Sequence, residues 1–188
     1  MAIPALELSS SPALSTDAAL IVLGVSRGSE GPELVAPADA YPELRGMLAA
    51  LEVTGAADEY RRAPATDGSP VPFALIGLGA AATRESLRSA AGAAGRRSAG
   101  VESLSIALPV ADADQAEAVL EAAGSGAYAY LAYKTGKGLD AKRPPQRIVL
   151  HVVPELDVDG VAERAASTAT AVHTVRDLVN MPPVDLYP

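Results

Sequence analysis

Gly77, Gly79 and Ala82 stand as Gly-x-Gly-x-x-Ala between an apolar run and an amphipathic stretch. Bare backbone amides in such a turn can meet a pyrophosphate at the N-terminus of the helix that follows. Gly77 and Gly79 are therefore the candidate cofactor-binding residues. That chemistry also asks for an acidic side chain at the end of the next strand, which instead closes on Leu108-Pro109-Val110. A tight strand-to-helix turn needs the same small residues, and a lone motif of this kind favours that plainer reading.

Four further constellations carry potential chemistry. Glu155, Asp157, Asp159 and Gly160 imitate the start of a calcium loop, but its twelfth position is Ala166 rather than a bidentate Glu. Asp157 or Asp159 is better placed to cap a helix. His151 and His173 lack a second ligand at i+3 or i+4 and read as packed or surface histidines. Serines are numerous, yet no Gly-x-Ser-x-Gly elbow occurs. Between Lys134 and Arg147, the residues Lys134, Lys137, Lys142, Arg143 and Arg147 face one acid, Asp140, with Tyr128, Tyr130 and Tyr133 just upstream. Such a patch can touch phosphates, but aromatics at 4% of the chain leave little stacking surface, so a solvated loop or a subunit contact fits better. No residue is assigned a catalytic or metal-binding role.

These residues must be held by a domain of 188 residues, enough to bury roughly 70% of the surface of its unfolded chain. With one Phe, six Tyr and no Trp, the core must be built from Val, Leu, Ile and Ala, so helices and strands must approach closely. The net charge of −8 disfavours general attraction to phosphate backbones and anionic lipid. Zero cysteines exclude disulfides and thiolate chemistry and fit a reducing compartment. No basic residue precedes the apolar run Ala18 to Val25, as a signal peptide would require. The apolar runs also fall short of the ~20 residues that span a bilayer. A cytoplasmic protein without a membrane partner is expected.

Strands are expected at Ala5 to Leu8, Ala18 to Val25, Val71 to Gly79, Glu102 to Val110 and Arg147 to Val153. Gly28 to Pro37 carries two Gly and two Pro and predicts a loop; Ala57 to Pro70 predicts loop or extended chain. Helices are expected from Pro42 through Leu51, after Thr83, after Asp112 or Asp114 with a stop at Gly124-Ser-Gly126, and from about Gly160 to Asn180. Apolar strands alternating with amphipathic helices predict a three-layer α/β fold, with a mixed, largely parallel sheet flanked by helices.

In the last helix Val161, Ala165, Thr168, Val172, Val175 and Val179 predict one narrow seam that something must cover. Pro182 and Pro183 forbid continuation, and Val-Asp-Leu-Tyr-Pro is expected as an extended strip. The end reads as the start of a linker, which suggests a chain divided at a domain boundary.

The tail Val175-Arg-Asp-Leu-Val-Asn180-Met-Pro-Pro183-Val-Asp-Leu-Tyr-Pro188 closely resembles the segment that joins the two domains of leucyl (cytosol) aminopeptidases. Gly126-Ala-Tyr128-Ala-Tyr130-Leu-Ala-Tyr133-Lys134 is similar to that family's tyrosine and tyrosine-lysine pattern, and Ala74-Leu-Ile-Gly77-Leu-Gly79 to a third marker. The resemblance implies a macro-domain-like fold for residues 1–158, an interdomain helix over 159–180, and a linker from 181–188 to a missing C-terminal catalytic domain. It further implies a hexamer in the full-length protein, which would remove N-terminal residues from peptides with two divalent metals, Mn or Zn, that activate a water. The family's metal-binding runs do not occur here, and Lys137-Gly138-Leu139-Asp140 echoes one of them only superficially. The leading expectation is thus a non-catalytic assembly or regulatory N-terminal domain that binds no cofactor. The alternatives are a stand-alone module for ADP-ribose or a dinucleotide, and a DNA-binding domain.

Overall fold

The computed structural model describes residues 3–35 and 40–186; Tyr187, Pro188 and the end of the expected Gly28–Pro37 loop lie outside them. One sheet contains β1 (Ala5–Ser9), β2 (Leu20–Arg27), β3 (Pro32–Leu34), β4 (Tyr60–Ala63), β5 (Phe73–Gly79), β6 (Ser103–Ala107) and β7 (Arg147–His151). Its order is β1-β7-β6-β2-β5-β4, with β3 paired to β2 off this path. The five strands from β1 to β5 in that order run parallel, while β3 and β4 are antiparallel additions. The expected mixed, largely parallel α/β architecture is therefore present.

Alternation along the strands divides the apolar residues between two cores. Leu20, Val22, Ala74, Ile76, Leu104, Ile106, Ile148 and Leu150 face α2 (Arg84–Arg97), α3 (Ala113–Gly126) and the start of α4 (Val161–Asn180). Ile21, Leu23, Val25, Phe73 and Leu75 face α1 (Pro42–Met47) and the loops around it. β2 lies between β6 and β5 and is buried from Leu20 to Val25, as a strand covered on both faces must be. Each fully buried Leu or Ile contributes about 1.5–3 kcal/mol.

Local signals explain the helix ends. Thr83 accepts from the Ser86 amide while the Ser86 hydroxyl accepts from the Thr83 amide, which closes a capping box on α2. The Asp112 carboxylate accepts from the Gln115 amide and starts α3.

Several expectations are corrected. The Gly28–Pro37 stretch contains β3, and Tyr60–Ala63 within the expected loop is β4. The β2 strand starts at Leu20, not Ala18. The helix from Pro42 ends at Met47, with Leu44 and Leu48 buried. α3 continues through Gly124 and stops at Gly126, the end of the expected Gly124-Ser-Gly126 stop. A Cβ on Gly126 would overlap the carbonyl oxygen of Gly92, and one on Gly95 that of Ala123. Glycine here sets how closely α2 and α3 approach, which is what a core poor in aromatics requires.

Neither Asp157 nor Asp159 caps α4, whose N-cap is Gly160; the Asp157 carboxylate accepts from the Asp159 amide instead. The chain after Pro182 is not extended, since Pro183–Leu186 forms the short helix α5.

The seam on α4 is also different. Its buried residues are Val161, Ala165, Ala169 and His173, spaced by four throughout. Thr168 is exposed, and Val175 and Val179 are 60% and 78% exposed. α4 packs on α3 and β1 through its first three turns, and its distal part carries apolar side chains in solvent.

Candidate functional site

The Gly77–Gly79 turn is fully employed by the backbone beside it. The Gly77 amide donates to the Glu59 carbonyl at 2.9 Å and the Gly79 amide to the Gly55 carbonyl at 2.9 Å. A Cβ at Gly77 would overlap the Ala56 carbonyl oxygen, and Gly79 has φ +74. The register with β2 slips here, so that Val25 faces Gly77 and Ser26 faces Gly79. Two amides that a pyrophosphate would need are thus committed to the 55–59 segment, and the small residues serve its close approach.

A cavity of about 490 Å³ lies beside the carboxyl ends of β6 and β7, where ligands commonly sit in open α/β sheets. Leu14, Leu23, Val35, Tyr41, Leu108 and His151 are among its lining. His151 approaches Ser105 Oγ through Nε2 at 2.7 Å and the Ser11 carbonyl through Nδ1 at 2.6 Å. The carbonyl can only accept, so Nδ1 carries the proton and Nε2 accepts from Ser105. The arrangement looks like a nucleophile and base, but Ser105 is fully buried and no substrate carbon can reach it. The pair ties β6 and β7 to the chain after β1.

The other sequence candidates are dispersed. Arg143 pairs with Asp140 at 3.0 Å, and Arg147 pairs with Asp17, whose carboxyl is held low by the hydrogen bond and charge of that guanidinium. Lys134 and Lys137 are exposed on a loop, and Lys142 is exposed at the end of a short 3-10 turn, Asp140–Lys142. Tyr130 and Tyr133 touch each other with centroids 6.2 Å apart, but Tyr128 is engaged elsewhere. No group of three His, Asp or Glu side chains suited to a metal occurs among the described residues, so none is assigned to one.

What the structure does assemble is a clasp at the distal end of α4. The Tyr128 hydroxyl donates to Asp177 Oδ1 at 2.9 Å and accepts from the Asn180 amide group at 3.2 Å. Arg176 lies 5.3 Å from the Tyr128 ring centroid and donates to the Ser125 carbonyl at 2.7 Å. His173 meets the same ring edge-on at 5.1 Å and approaches the Gly124 carbonyl through Nε2 at 3.0 Å. Nε2 is therefore the protonated nitrogen, and Nδ1 is buried without a partner. Burial holds His173 below the ordinary histidine pKa.

The clasp joins the end of α3 to the end of α4 and makes or breaks no bond. It fixes the direction in which Val175, Leu178 and Val179 are presented, each 52% to 78% exposed. Tyr128 and the trio Arg176, Asp177 and Asn180 lie in two separate runs of the sequence; that they meet is not legible from either. For His173 the signal was present in the four-residue spacing from Ala169.

A mostly parallel sheet with helices on both faces and a long closing helix clasped at its tip defines a layered α/β domain. The sequence model described as "Cytosol aminopeptidase family, N-terminal domain" matches residues 22–137. The chain belongs to this family. A probable cytosol aminopeptidase of Micrococcus luteus is 41% identical over 91% of the chain and 36% of its own length. That of Leifsonia xyli subsp. xyli is 38% identical over 98% of the chain and 37% of its own length. Among solved structures, the bottromycin maturation enzyme BotP superposes with a TM-score of 0.64 at 26% identity, covering 91% of this chain and 34% of that one. A mutant tomato leucine aminopeptidase superposes with 0.63 at 18% identity, covering 96% and 39%, and bears on the fold alone. The chain thus spans well under half the length of these proteins.

Proposed function

We propose that this chain is a non-catalytic N-terminal domain whose role is to position and assemble an aminopeptidase catalytic domain. Membership of the family and the small share of its relatives' length support this reading. The observation that carries it is the clasped end of α4, which rigidly presents Val175, Leu178 and Val179 to solvent. An exposed apolar strip held stiff by hydrogen bonds is what a docking surface needs, because little ordering entropy is then lost on association.

In the full-length protein, peptides would lose their N-terminal residues at two divalent metal ions, Mn or Zn, held by residues outside this chain. The described residues offer no ligand set for these ions, and none of them is given a step in that chemistry. A hexamer in the cytoplasm is the assembly and location this reading takes. No helix among the described residues is long and apolar enough to cross a membrane.

Incubating the purified 188 residues with Mn or Zn and a leucyl chromogenic substrate tests the proposal. No turnover above the metal blank is the expected result, and robust hydrolysis overturns it.

A further inference from the structure

Arg84, Arg88, Gly92 and Arg96 follow one another at four-residue steps along α2, so they form a single gently turning stripe. Arg88, Gly92 and Arg96 line a groove of about 240 Å³ whose other walls include Ser125 and Gly126 from the end of α3 and Arg176 from α4. Three guanidiniums from two elements thus converge on one small space in a chain whose net charge is −8.

Among the described residues, neither Arg88 nor Arg96 has an ion pair or a side-chain hydrogen bond. Both are exposed and available. Arg176 spends one nitrogen on the Ser125 carbonyl. Opposing charge at the groove comes from Glu85, which also lines it, and from the C-terminus of α3, worth about half a negative charge. Among the lining residues, three positive charges therefore exceed the negative ones by about one and a half, with the Asp58 carboxylate set behind Ser89.

Helix ends alone do not explain the pattern. Arg96 in the last turn of α2 and Arg176 at the end of α3 suit the local dipoles, but Arg88 sits mid-helix and gains nothing from either. A mid-helix glycine is destabilising against alanine. At Gly92 it leaves the groove floor bare beneath the Arg96 guanidinium, whose Nη1 would stand 3.3 Å from a Cβ there.

We propose that this groove binds a small phosphate-bearing anion. The planar fork of arginine matches phosphate oxygens in pairs. Ser89 and Ser125 also line the groove and bring hydroxyl groups to it. The Ser89 hydroxyl donates to Asp58, so of the two it is that of Ser125 that remains to face the ligand.

The test is calorimetry and thermal unfolding of the 188-residue chain with inorganic phosphate and with pyrophosphate, against sodium chloride at matched ionic strength. Saturable binding is expected, tighter for pyrophosphate, and weakened about tenfold or more by either Arg88→Gln or Arg96→Gln. Arg88→Lys, which keeps the charge and loses the fork, is expected to weaken binding several-fold with the ligand-free melting temperature unchanged. Arg61→Gln, on β4, is expected to bind as the parent does. A response equal to that of chloride, or unaltered affinity in both Arg88→Gln and Arg96→Gln, overturns the proposal. So does duplex DNA binding with a steep salt dependence while phosphate and pyrophosphate do not bind.

Discussion

The Tyr128 hydroxyl, two residues beyond α3, donates to the Asp177 carboxylate in the last turn of α4 at 2.9 Å. One bond thereby joins residues 49 positions apart and sets where the end of the long helix points. Around it His173, Arg176 and Asn180 make their own contacts with Tyr128, so the helix end is held from several sides.

Tyr128→Phe keeps the ring contacts and removes the hydrogen bonds to Asp177 and Asn180. Stability is expected to fall by about 1 kcal/mol in denaturant unfolding. Amide exchange should accelerate over residues 175–186 and remain unchanged in β2 and β5. Uniform acceleration across the sheet would show that the clasp is not local to α4.

His173 makes stability depend on pH. Burial lowers its folded pKa, and Arg176 nearby also disfavours the proton, while Asp177 and the Gly124 carbonyl favour it. As pH falls, the unfolded chain therefore takes up this proton first. The stability due to neutral His173 is whole above the ordinary histidine value, about 6.5, and is lost progressively as pH drops below it. His173→Leu should flatten that part of the stability curve between about pH 7 and 5. It should also cost about 1–3 kcal/mol at pH 8, because the Gly124 carbonyl loses its donor. Parallel curves for the two proteins would contradict the assignment.

Gly77 and Gly79 should respond differently to the same added methyl group. Gly77→Ala drives a Cβ into the Ala56 carbonyl and is expected to cost about 3 kcal/mol or to prevent folding. Gly79→Ala meets only the Ala57 Cβ at an ordinary 4.0 Å and is strained only by its left-handed backbone, at about 1–2 kcal/mol. Thermal unfolding of both variants, with ADP-ribose and NAD titrated into the parent protein, checks this. Micromolar binding that is lost in Gly79→Ala would restore the dinucleotide reading.

The Asp112 cap gives an independent check on α3. Asp112→Ala removes the acceptor for the Gln115 amide and should destabilise the domain by about 1 kcal/mol. Asp157→Ala, whose carboxylate caps no helix, should change stability by less than about half that.

Much of the architecture was legible because the strands that build both cores are largely apolar runs: 18–25, 71–79 and 147–153 each match a strand to within two residues at either end. β3 and β4 were not. Each is three or four residues long; β3 exists only because β2 runs on past its β6 partner, and β4 only because β5 offers an unpaired edge, which are facts of tertiary structure. On α4 the valines misled. Hydrophobicity placed Val172, Val175 and Val179 in the seam, whereas the helix approaches α3 so closely that small residues define the contact. A Cβ on Gly124 would sit 3.2 Å from the Ala169 Cβ. The glycines of the candidate turn were visible, but that their amides are taken by Gly55 and Glu59 depends on a segment that composition left undecided.

The apolar strip on α4 is the centre of the account, and association measures it most directly. The 188-residue chain would be mixed with a separately produced catalytic domain of a cytosol aminopeptidase and followed by analytical ultracentrifugation, with Val179→Glu alongside. Val179 is 78% exposed, so the variant should fold as well as the parent. A complex formed by the parent and lost in Val179→Glu is the predicted result. No complex with the parent, or equal complexes with both, would contradict the account.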